Sequence, residues 1–264
     1  MPTAAHLSAR SPANALASAT RLWIAALFFA GSIAAAGLND TGFTTCADAV
    51  GATVSCTAAS AVQGQDARYG RDAAAGTSAL TKVGGGANGF DFTKISNAGA
   101  VLPATAPLGT VAGEWGCTYD NTTGLMWEVK TSSGPRQLAY FYSWYSTNSA
   151  TNGGASGVSN GGFCFATGRC DTEKFAQDVN ATNMCGHSDW RLPTFRELQG
   201  LVRLGANPTI DASYFPNVLL TSIWSGSSYV SDSGLALLVS FGDGRSSGNG
   251  KGGGAKVLLT RTGM

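Results

Sequence analysis

No excess charge of either sign marks this sequence. Its 17 Lys and Arg stand against 16 Asp and Glu, so nothing global points to nucleic acid. The apolar run Leu22 to Ala36 counts fifteen residues, short of the roughly 20 that a membrane-spanning helix needs. Glycine is frequent, at 36 residues, but does not recur every third position, which excludes a collagen stalk. There is no C-x-x-C pair and, past residue 36, only one histidine, His187, a poor ligand set for zinc. Gly84-Gly85-Gly86 lacks the strand-to-helix setting of a phosphate cradle. With a single histidine left, no Ser/His/Asp set can be assembled convincingly among the many loop serines.

What is present first is an export signature. Arg10 and Arg21 precede the apolar run, which ends in Ala34-Ala35-Ala36 before Gly37. Basic, apolar and small-residue segments in that order read as a secretory signal peptide over residues 1–36. Membrane contact is expected only if that segment is retained uncleaved. Its removal leaves a net charge of about −1, whereas an electrostatic polyanion binder would be more basic. The expected location is the periplasm, the cell surface or the medium.

All six cysteines lie beyond the signal, and an even count in an exported chain favours disulfides over a metal site. Six cysteines allow fifteen connectivities. Short loops favour Cys46 with Cys56 and Cys164 with Cys170, which leaves Cys117 for Cys185.

Residues 37–113 are rich in Gly, Ala, Thr and Ser and poor in large apolar side chains, a weak basis for an independent core. Asn39 to Gly42 and Gln65 to Asp72 stand out as ordered islands. Asp40, Asp66 and Asp72 offer hard oxygen ligands that calcium accepts, without the dense acidic loop of a known calcium motif. The competing reading is turn formation, with surface ion pairs to Arg68 and Arg71.

From Glu114 the texture changes, and Trp115, Trp127, Trp144, Trp190 and Trp224 supply the body of a core over residues 114–264. Leu125 to Lys130 alternates as a half-buried strand would. The aromatic run Tyr140 to Tyr145 fits either a sugar-stacking platform or period-two strand packing. Asn148 to Gly162 is small and polar, a surface loop. Asp171 or Thr172 caps a helix whose Phe175, Ala176 and Val179 share a face.

The stretch Asp189 to Leu198 holds a turn, an aromatic anchor and a helix start. Thr194 and Glu197 have the spacing of a capping box, and Pro193 marks the break before the helix. Leu198, Leu201 and Val202 continue it to about Leu204, with Gly205 and Asn207-Pro208 as the stop. Asp189, Arg191 and Glu197 suit structural ion pairing better than catalysis, with Arg191 bracing the turn. Three strands follow: Ile223 to Tyr229, Leu235 to Phe241 and Lys256 to Arg261. The fold class is therefore α+β, two helices on small antiparallel sheets, with first and last strands paired. Between the last strands, Ser240 to Ala255 carries one large apolar residue, Phe241. It reads either as a flexible hairpin loop or as an adaptable binding surface.

Trp190-Arg191-Leu192-Pro193-Thr194 with Glu197-Leu198 resembles the signature of the Lcl C-terminal domain family, found in bacterial surface and secreted proteins. Asp120 to Glu128, Ile210-Asp211 to Tyr214-Phe215-Pro216, and Ile223-Trp224-Ser225 agree with it in order. The resemblance implies a C-type-lectin-like fold, related to that of formylglycine-generating enzymes. It implies a non-enzymatic, adhesin-like domain that binds a cell-surface glycan or protein through residues about 224–255, with no catalytic residues. Lectin-like domains of this kind include targets of diversity-generating retroelements. On that reading Ser240, Gly242, Asp243, Arg245, Ser247 and Asn249 line the ligand face, with Trp224 and Tyr229 as aromatic anchors. Collagen-like relatives suggest a homotrimer. The alternative is an enzyme like the formylglycine-generating, sulfatase-modifying factors; those use a cysteine pair late in the fold, whereas no cysteine follows Cys185 here.

Overall fold

In this computed structural model residues 37–218 and 220–264 are described; the proposed signal segment lies outside them. The described residues fall in one compact unit. Its framework starts with β1 (Cys46–Ala47), β2 (Thr53–Val54), α1 (Gly70–Gly76), β3 (Phe92–Ser96) and β4 (Val101–Leu102). Next come β5 (Trp115–Asp120), β6 (Leu125–Glu128), β7 (Tyr142–Ser143), α2 (Thr172–Ala181) and α3 (Phe195–Gln199). The chain closes with β8 (Ser222–Ser228), β9 (Leu235–Ser240), β10 (Ser246–Gly250), β11 (Gly254–Ala255) and β12 (Thr260–Thr262). The fold class is α+β, as the sequence indicates.

The main sheet is antiparallel, in the order β12-β6-β5-β3-β4. Successive side chains of a strand point to opposite faces, and here both faces are covered. Leu125 and Trp127 enter one hydrophobic cluster with Phe92, Leu198, Phe215 and Val239; Met126 enters the other with Ile95, Trp190 and Trp224. The expected half-buried strand is therefore buried throughout, Glu128 and Lys130 included. Those two project to the same face, and Lys130 Nζ lies 2.8 Å from Glu128 Oε1 while Leu259 N donates to Glu128 Oε2 at 3.1 Å. Burial pushes the Lys130 ammonium pKa down, and the Glu128 carboxylate opposes that shift. The last strand pairs with β6, which separates it from the domain's first strand, β5, its expected partner.

Composition changes at Glu114, but packing does not stop there. β3 and β4 come from residues 37–113 and complete the main sheet, and Phe90, Phe92 and Ile95 are fully buried in its two clusters. Cys46, Ala61 and Ala67 form a separate small cluster in that region, with Val54 and Cys56 against it, and Ala106, Leu102 and Leu108 join Trp115 and Val129 in another.

Three disulfides join Cys46–Cys56, Cys117–Cys185 and Cys164–Cys170. The pairing is the one short loops favour. Cys117 sits in β5 and Cys185 in the turn before Trp190, so the bridge ties the sheet to the motif.

α3 is shorter than expected. Beyond Gly200 the bonds tighten to Leu201 N with Leu198 O and Val202 N with Gln199 O, and the next amides leave the helix altogether. Arg203 N donates to Thr209 O and Leu204 N to Thr41 O, so tertiary partners replace the i−4 carbonyls. Leu198 and Leu201 still reach the core.

The final strand is also divided. Residues 254–262 pair first with β7, then meet β8 through Trp224 N and Lys256 O at 2.9 Å, then pair with β6. Changing partners breaks the ladder at 256–259, although Val257, Leu258 and Leu259 are buried.

Candidate functional site

The Asp189 to Leu198 stretch is clamped on three sides. Asn180 of α2 accepts from Trp190 N at 2.7 Å and donates to Trp190 O at 2.9 Å. Arg191 exchanges backbone bonds with Thr260 of β12, both at 2.9 Å. Pro193 O accepts from Gly226 N of β8 at 2.7 Å. The capping box is complete, with Glu197 N donating to Thr194 Oγ1 at 3.2 Å and Thr194 N to Glu197 Oε2 at 2.7 Å. Arg191 holds Glu197 through a fork, Nη1 to Oε2 at 2.8 Å and Nη2 to Oε1 at 2.7 Å. Arg261 Nε donates to Asp189 Oδ1 at 2.6 Å. All three side chains flagged in the sequence are thus engaged in ion pairs that brace the turn.

Burial raises the Glu197 pKa, but the Arg191 fork and the Thr194 amide outweigh it and hold the carboxyl below its ordinary range. A depressed folded pKa contributes stability that is present above about 4.5 and lost as pH falls through the folded value. Glu197→Gln keeps a capping-box residue and deletes the charge. In thermal unfolding from pH 7 to pH 3, the variant is expected to lose less stability than the parent. The difference should be about 1 kcal/mol or less, because the pair is partly exposed. Equal losses in both proteins would deny the pair this role.

Asp40, Asp66 and Asp72 do converge, with one carboxylate oxygen of each within 4.8 Å of the others. Their oxygens hold the local turns. Asp72 accepts from Gly42 N at 2.5 Å and Gly89 N at 2.7 Å, Asp40 from Thr41 N and Asp72 N, and Asp66 from the Thr41 hydroxyl. Burial, with the charges of Asp40 and Asp66 behind it, raises the Asp72 pKa against its backbone donors. The expected ion pairs with the two arginines do not form. Arg71 lies 3.9 Å from Asp91 and bonds Gly89 O, and Arg68 bonds Ala61 O.

The segment expected as a loop is a hairpin. β10 pairs with β9 from Ser246↔Val239 to Gly250↔Leu235, and a tight turn at Phe241 to Arg245 joins them. Gly244 there has φ +75, a backbone region where a side chain would be strained. Pairing holds the backbone of this Gly/Ser segment, so adaptability resides in its exposed side chains. Lys251 is an anchor within it: the buried Nζ donates to Asn152 O and Ala155 O, both at 2.7 Å, and lies 4.3 Å from the Trp144 ring centroid.

The proposed ligand residues separate into four groups. Ser247 and Asn249, alternate residues of the exposed edge strand, line a groove of about 440 Å³ with Thr221, Ser222, Phe141 and Lys256. Ser240 ends β9, and Gly242, Asp243 and Arg245 belong to the turn, where Arg245 Nε lies 3.6 Å from Asp243 Oδ2. Tyr229 is part-exposed at the far end of the hairpin, against Gly248. Trp224 corrects the expectation outright: it has no exposed surface, and its Nε1 donates to Tyr142 O at 2.8 Å. β8 runs between β9 and Lys256, so the successive residues Ile223 and Trp224 point into the two clusters.

Phe141 and Lys256 are the groove residues that sequence reasoning passed over. In the aromatic run Tyr142 and Trp144 are buried and Phe141 is turned out, so period-two packing accounts for it. The outward Phe141 was the available signal. Lys256 Nζ donates to Ala139 O at 2.6 Å and lies 5.7 Å from the Phe141 ring, and burial lowers its pKa. The groove thus offers hydroxyl and amide groups, an aromatic face and a cation on a supported backbone.

A family model described as the Lcl C-terminal domain matches residues 116–261, from β5 to β12. No curated protein and no solved structure matches the chain.

Proposed function

Since the chain belongs to the Lcl C-terminal domain family, we propose that it is an exported, non-enzymatic recognition protein with a lectin-like scaffold. It binds a glycan or protein at a cell surface through the groove beside β10. The observation that carries this reading is the groove itself. Two candidate residues, Ser247 and Asn249, face it from an edge strand whose side chains can change without disturbing either core cluster. Export is supported by three disulfides, which persist in oxidising compartments. No helix among the described residues is long and apolar enough to cross a membrane. The non-enzymatic reading is supported by Asp189, Arg191 and Glu197 being taken up in ion pairs and by all six cysteines being disulfide-bonded. Diversification by a retroelement fits the same strand, since Gly, Ser, Asp and Asn are frequent products of altered AAC-type codons.

The test is a screen of the mature chain and its Ser247→Trp variant on arrays of glycans and extracellular proteins. Tryptophan suits an exposed strand, so stability should stay within about 0.5 kcal/mol of the parent. Binding should fall by tenfold or more, on the order of 1.4 kcal/mol. A ligand held equally by both proteins would place recognition elsewhere. Thiol-oxidising turnover on a cysteine-containing peptide would favour the enzyme reading.

A further inference from the structure

A second cavity, of about 590 Å³, opens on the other side of β7 and is not explained by the groove. Phe175 and Val179 of α2, Met184, Pro135 and the buried Tyr142 of β7 line it, with the exposed Phe165 at its rim. Its size falls within the range of small-molecule sites, roughly 300–1,000 Å³, which are mostly apolar with a few placed polar groups.

The charged side chains in its wall already hold hydrogen-bond partners. Arg136 Nη1 donates to Gly116 O and Val129 O at 3.1 and 3.2 Å, and its Nη2 to Asn97 Oδ1 at 3.2 Å. Arg169 Nε lies 2.6 Å from Asp178 Oδ1. A cationic ligand would lose its hydration here and find only the Asp178 carboxylate, already paired with Arg169, a costly exchange; an anion would meet the Arg136 guanidinium, which is in no ion pair among the described residues. Tyr142 differs. It is 4% exposed, and its hydroxyl makes no hydrogen bond among the described residues. Burial raises its phenol pKa, so it remains an O–H.

The rim carries an exposed ring. Phe165, next to Cys164, lines the cavity and is 60% exposed. Its ring lies 6.4 Å from Tyr140. The Cys164–Cys170 disulfide closes the short loop that carries it. A ring held in water at the rim, above mostly apolar walls with few unengaged polar groups, suits an aromatic guest better than a sugar, which needs many hydrogen-bond partners.

We propose that this cavity binds a small, non-cationic aromatic molecule with a hydrogen-bonding group that meets the Tyr142 hydroxyl, and with Phe175 and Phe165 beside its rings. The site is separate from the recognition groove and does not depend on it.

The probe is N-phenyl-1-naphthylamine, which is uncharged and carries one N–H; 1-phenylnaphthalene has similar rings without it. On the full, disulfide-bonded chain, dye emission should saturate at one molecule per chain. Ala166→Trp, which fills the mouth, should weaken binding tenfold or more. Ala112→Trp, at another lining position, serves if the first variant does not fold. Tyr142→Phe should weaken the amine by about two- to tenfold and leave the hydrocarbon, followed by competition, unchanged. Ser247→Trp should leave both unchanged. Absence of saturable binding, dye affinity indifferent to both mouth variants, equal weakening of both probes by Tyr142→Phe, or loss of the dye in Ser247→Trp would each overturn the assignment.

Discussion

Trp224→Ala is expected to lower unfolding stability by about 3–5 kcal/mol, the cost of emptying a fully buried tryptophan site. The side chain has no exposed surface and packs with Trp144, Trp190 and Tyr142. Its Nε1 is also the donor to Tyr142 O across 2.8 Å. Trp224→Phe separates the two contributions: it keeps a ring, loses the donor, and should cost less than the alanine change. Urea unfolding followed by circular dichroism measures both, and an unchanged m-value would show that the native state is what altered. The outcome bears directly on recognition. A surface anchor, once truncated, would lose ligand and keep its stability. The geometry requires the reverse, with any binding loss scaling with the unfolded fraction.

The second large effect is expected at the disulfide between β5 and the turn before Trp190. Cys117 and Cys185 are 68 residues apart and both fully buried. Loop-closure entropy puts the stabilisation of such a bridge at about 4 kcal/mol, and about 2 kcal/mol for one as short as Cys164–Cys170. The Cys117→Ala, Cys185→Ala double variant should therefore melt about 12 °C lower, at roughly 3 °C per kcal/mol for a chain of this size. The Cys164→Ala, Cys170→Ala variant should lose about half as much. Differential scanning calorimetry of the two variants in parallel gives the ratio. Equal losses would mean that the long bridge closes a loop already compact in the unfolded chain.

These two sites also show how far local spacing carries. Thr194 and Glu197 announce their capping box because both partners lie within one helical turn, and the bonds form as that spacing requires. The cysteine pairs follow from separation in the chain, and Arg191 reaches Glu197 across six residues. Phe175 and Val179 share a face through helical periodicity alone. In each case the interaction is short-range, or the candidates are few enough for the remaining pairing to follow.

The groove was beyond such reasoning. Ser246 to Gly250 has no hydrophobic alternation, and nothing in its side chains distinguishes a strand from a loop; its backbone became a strand because β9 supplies the ladder. Leu201 to Leu204 has helical apolar spacing, yet carbonyls of Thr41 and Thr209 draw its amides out of the helix. Phe141 and Lys256 meet across more than a hundred residues, and Trp224 is buried because Lys256 and β9 flank its strand. Caps, disulfides and fold class were set in the sequence itself, because their partners are near neighbours or scarce residue types. Which residues line the groove was decided only by tertiary structure, because exposure depends on which distant strands cover each face.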